Sequence, residues 1–64
     1  MNIFTCDGSG KTYQEAAARA VDNFITIYKL KKIKEENLVS VTPIVVDSGP
    51  ELTVSLWVLT KGEN

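Results

Sequence analysis

Hydrophobic and polar positions change their period twice along this chain. Ile3-Phe4-Thr5-Cys6 is rich in strand formers and alternates weakly, which predicts a first strand over residues 2–6. Asp7-Gly8-Ser9-Gly10-Lys11 has loop composition and predicts a glycine-rich turn over residues 7–11. From Thr12 the spacing becomes helical. Tyr13, Ala16, Ala17, Ala20, Val21, Phe24, Ile27 and Tyr28 share one face, and Gln14, Glu15, Arg19, Asp22, Asn23 and Thr26 share the other. Thr12 with Glu15 forms the pattern of a capping box. The helix end is open between two readings. Lys29, Lys31, Lys32 and Lys34 suit the negative end of the dipole, while Leu30 and Ile33 lie off the stripe.

Glu35-Glu36-Asn37 reads as a connection, and residues 38–46 as a second strand. Pro43 inside that run lacks an N–H, so the strand belongs at a sheet edge or at a bulge. Asp47-Ser48-Gly49-Pro50 is a turn. The third strand, residues 51–60, alternates cleanly. Leu52, Val54, Leu56 and Val58 point one way, and Thr53, Ser55, Trp57 and Leu59 the other. Lys61 to Asn64 reads as a polar tail.

These elements define one α+β domain over residues 1–64, of β-α-β-β order. The third strand goes to the centre of a three-stranded antiparallel sheet of order 1-3-2, with one helix packed on one face. The even residues of the third strand match the helical stripe and form the core. Trp57 and Leu59 then fall on the opposite face. They are joined there by either Val39, Val41 and Val45 or Ser40, Thr42, Ile44 and Val46 of the second strand. The competing reading reverses the register and puts Trp57 inside. In the first arrangement an apolar surface is left uncovered, which marks an interface or a ligand groove. Burying Trp57 alone is worth roughly 2–3 kcal/mol.

Composition sharpens this expectation. The chain has 64 residues, and domains this short carry thin stability margins unless a disulfide, a metal or self-association supports them. One cysteine excludes an internal disulfide, and the absence of histidine leaves Cys6 without partners for a zinc site. Self-association remains, so a homo-oligomer is expected, with Trp57 and Leu59 as its interface. A net charge of −1 and the lack of an aromatic stacking platform argue against nucleic acid. No apolar run is long enough to span a bilayer, the first residues lack a signal-peptide layout, and a lone thiol suits a reducing compartment. A cytoplasmic protein is expected.

The candidate chemistry centres on Gly8, Ser9, Gly10, Lys11 and Thr12. A glycine turn between a strand and a helix N-terminus aims backbone N–H groups at an anion, and Lys11 adds charge. Gly10-Lys11-Thr12 matches only the second half of a P-loop, because Thr5 stands where the first glycine belongs. No later acidic strand end serves Mg²⁺, so an NTPase is not expected. The plainer reading is an ordinary turn with an N-cap at Thr12. Cys6 lacks a histidine base, the acids are scattered, and the lysines around residue 31 read as a solvated helix end. No enzyme, metal or cofactor is expected.

The expected function is a non-catalytic homo-oligomer that captures a small phosphate-bearing ligand such as a nucleotide signal, as a phage-type sponge sequesters one. The alternative is a small protein–protein interaction module or inhibitor that docks through its sheet face or edge strand. In element order and length the chain resembles the dodecins, small subunits that assemble into a shell and bind flavin. Trp57 falls on the third strand here rather than the second, and no functional residue is carried over.

Overall fold

A computed structural model of the chain describes residues 1–47 and 49–62. Strand β1 (Asn2–Gly10) leads into helix α1 (Tyr13–Leu30). A 3₁₀ turn, Glu35–Asn37, opens β2 (Leu38–Asp47), and β3 (Leu52–Thr60) closes the chain. The sheet is antiparallel, in the order β1-β3-β2, with the expected central third strand. Of the expected turn at 47–50, Asp47 ends β2 and Ser48 lies outside the described residues. Gly49 has φ +98°, where glycine is favoured. The tail residues Glu63 and Asn64 also lie outside the described residues.

The capping box forms in half. Thr12 Oγ1 accepts the Glu15 N–H at 3.2 Å, and among the described residues no reciprocal bond from the Glu15 carboxylate appears. The helix stops at Leu30 through a Schellman motif. Lys32 takes φ +53°, its N–H reaches the Lys29 carbonyl, and the Ile33 N–H reaches that of Tyr28. Ile33 is thereby turned back under the helix and buried, whereas Leu30 stays exposed.

The expected loop at residues 7–11 is a correction. Gly8, Ser9 and Gly10 continue β1, opposite Val54, Thr53 and Leu52. Close packing is the reason. A Cβ on Gly8 would overlap the backbone nitrogen of Ala20 and lie 2.5 Å from the Ala16 carbonyl oxygen. One on Gly10 would lie 2.6 Å from the Glu15 Cβ. Glycine on the strand and alanine on the helix let two backbones meet. Ala16 and Ala20 are fully buried there, with Cys6, Val54, Leu56 and Val58. Phe4, Phe24, Ile27, Leu38 and Leu52 pack around them.

The helix lies on β1 and β3 and leaves β2 to one side. A helix is about 10 Å wide and strands are about 4.8 Å apart, so one helix shields two strands and not three. Nine of the ten positions of β2 are exposed, on both faces. The molecule is a slab of 38 × 18 × 12 Å with a radius of gyration of 12.3 Å. A compact domain of this length has about 10.7 Å.

Candidate functional site

Register assigns every strand residue to a face. Val41, Pro43 and Val45 lie opposite Val58, Leu56 and Val54 and so share the helix side. Ser40, Thr42, Ile44 and Val46 lie opposite Leu59, Trp57, Ser55 and Thr53 on the open side. Ile3, Thr5, Asp7 and Ser9 complete that open face from β1. Trp57 is 45% exposed and Leu59 is half-buried, so the structure places both on the face away from the helix.

The open face is not uniformly apolar. Ile3, Leu59 and Trp57 gather toward one end, and Ile44 and Val46 toward the other end of β2. Between them Ser55 Oγ donates to Asp7 Oδ1 at 2.7 Å. The more continuous apolar surface runs along β2, where Val39, Val41, Ile44, Val45 and Val46 all stand exposed. No charged residue occurs from Leu38 to Val46. Periodicity alone did not reveal this surface. The signal was the length of the uncharged run beside a single helix.

The glycine segment carries a different chemistry from the one expected of it. Gly8, Ser9 and Gly10 stand in an extended strand rather than a turn, and only Lys11 and Thr12 sit at the helix N-terminus. Thr12 Oγ1 accepts the Glu15 N–H as the helix cap. The depression beside Gly8 and Ser9 has a volume of about 560 Å³ and is open to solvent. Asp7, Asp22 and Glu51 line it together with Arg19, the one basic residue of the lining. A lining with more acid than base disfavours a phosphate.

Cys6 lies on the helix side of β1, 2% exposed. Burial pushes its thiol pKa up, the Asp7 carboxylate adds to the rise, and Lys31 opposes it. The thiol stays protonated at neutral pH, which is the inert state rather than the nucleophilic one. Lys31 instead places its ammonium 4.5 Å from the centre of the Phe4 ring, a cation–π contact at the helix end. Among the described residues no group of acids, cysteine or histidine gathers to hold a metal. No described helix is long and apolar enough to cross a membrane.

Compared with protein-family models, with curated proteins and with solved structures, the chain finds no match.

Proposed function

We propose that this chain is a non-catalytic, homo-oligomeric binding protein whose contact surface is the uncovered sheet: β2 together with Trp57 and Leu59. The observation that supports this reading is β2 itself, exposed at nine of ten positions and free of charge from Leu38 to Val46. A surface of that kind on a 7.0 kDa domain marks an interaction site. The total accessible surface of 4431 Å² exceeds the roughly 4,000 Å² of a compact monomer of this mass. The lone buried thiol favours a reducing, cytoplasmic setting.

Capture of a phosphate-bearing ligand, with the phage-type sequestration built on it, now draws only on Lys11 and Thr12. Binding through the sheet is the better supported half of the expectation. Docking of the same edge strand on a larger partner is the second reading, favoured by the same exposure of β2.

Sedimentation velocity at micromolar concentration tests the proposal. A mass at a multiple of 7.0 kDa is expected, and a single copy at every concentration contradicts it. Nucleotides and cyclic dinucleotides are expected to leave the thermal midpoint unchanged. A rise that Lys11→Ala removes would restore the phosphate reading.

A further inference from the structure

The two outer edges of the sheet are finished differently. On β1, Asp7 and Ser9 lie two residues apart and turn their carbonyls to the same side. Both oxygens are taken by the helix: Asn23 Nδ2 donates to Asp7 at 2.5 Å, and an Arg19 guanidinium nitrogen donates to Ser9 at 2.6 Å. Odd residues of β1 therefore point outward there, and even ones bond to β3. Alternation carries the pattern across the sheet. Leu56 and Val54 bond to β1, so Trp57 and Ser55 bond to Thr42 and Ile44 of β2. The outward groups of β2 then belong to Val41, Pro43 and Val45. Pro43 sits where the sheet asks no donor of it. Among the described residues no side-chain hydrogen bond reaches the β2 backbone.

The geometry points to β2 pairing antiparallel with β2 of a second copy of this chain. This deepens the homo-oligomer reading above and rests on it. An isologous edge-to-edge pair needs a two-fold axis perpendicular to the sheet. Both helices then lie on one side of a six-stranded sheet of order β1-β3-β2-β2-β3-β1. Its outer edges are two copies of β1, whose Asp7 and Ser9 carbonyls Asn23 and Arg19 already occupy, so the assembly closes as a dimer. Pro43 withdraws one donor from each copy and leaves Val41 and Val45 as the bonding positions beside it.

Charge fixes the direction of pairing. The hairpin end of β2 carries Asp47 and Glu51, and its other end carries Lys31, Lys32 and Lys34 against Glu35 and Glu36. Antiparallel pairing sets the acidic end of each copy beside the lysine-bearing end of the other. Parallel pairing would set like ends together. Ten residues of paired strand with their side chains hide on the order of 1,000 Å² in total, at the lower bound for a specific interface.

A single-cysteine scan from Ser40 to Val46 tests the pairing, with mild oxidation and covalent dimer as the readout. The wild-type protein is the blank, because Cys6 is buried. In an antiparallel pair each residue faces its own copy only at the axis. Cross-linking should therefore peak at one β2 position and fall away on both sides, where Cα separations leave the range of about 4.4–6.8 Å that a disulfide tolerates. A protein that sediments as an oligomer but shows no such peak overturns the edge pairing and leaves the homo-oligomer standing. Two further variants, Thr53→Cys and Ser55→Cys on the open face, complete the series, and cross-links that peak there instead mean stacked faces and also overturn it. A monomer with no cross-link removes both readings. Circular dichroism of each variant confirms that it folds.

Discussion

Strand β1 and strand β2 are both edges of one small sheet, yet only one of them is closed off. The helix presses on β1 so closely that Gly8 and Gly10 have no room for a side chain, and from there Arg19 and Asn23 reach the outward carbonyls of Ser9 and Asp7. The same helix stands clear of β2, whose uncharged residues meet solvent on both faces and along the edge. The close approach that protects one edge is what leaves the other bare, because a helix drawn toward β1 cannot also shield β2. An apolar edge without a charge from Leu38 to Val46, with Pro43 as its one missing donor, is a pairing site.

The largest expected effect comes from removing the close approach. Gly8→Ala forces the strand and helix backbones apart and should destabilise the fold by at least about 3 kcal/mol, a large share of what so small a domain has. Urea unfolding followed by circular dichroism checks this, and an unchanged midpoint would mean that the two backbones are not in contact.

A smaller effect falls on the other edge. Val45→Lys places a charge on the pairing edge at a half-exposed position, so the monomer should fold normally. Each copy then sets a charge against the apolar β2 of the other, and the dimer dissociation constant should rise by about 10-fold or more. Sedimentation equilibrium reads this change directly.

Undoing the protection of β1 is the next step down. The double variant Arg19→Ala, Asn23→Ala removes two solvent-exposed hydrogen bonds, worth about 0.5–1.5 kcal/mol each. It also frees the Asp7 and Ser9 carbonyls. Species larger than a dimer should then appear in light scattering, because the assembly has lost its closed ends. Least of all, Lys32→Gly relieves a left-handed residue at the helix end and should stabilise by up to about 1 kcal/mol in the same urea series.

Sequence pattern made some of this architecture legible and hid the rest, for identifiable reasons. Alternation in β3 separated Val54, Leu56 and Val58 from Trp57 and Leu59, because that strand has a covered face and an open one. Thr12 announced the helix start through its own hydroxyl. Gly8-Ser9-Gly10 looked like a turn because its composition is that of a turn, while the true reason lies across space, in Ala16 and Ala20 for Gly8 and in Glu15 and Ala16 for Gly10. The matching intervals, two residues on the strand and four on the helix, were visible, but nothing local says that they meet. The phosphate site at Gly8 to Thr12 was inferred from that turn, and of the acids that line the depression beside Gly8 only Asp7 is its sequence neighbour, while Asp22 and Glu51 come from elements farther along the chain. The exposure of both faces of β2 depends on where the helix rests, which periodicity does not encode.

Amide hydrogen exchange across a concentration series tests the contrast between the edges most directly. The outward amides of Val41 and Val45 should become protected as concentration rises, while those of Asp7 and Ser9 exchange at a constant rate. Val41 and Val45 amides that exchange as fast in concentrated solution as in dilute solution would contradict pairing through β2.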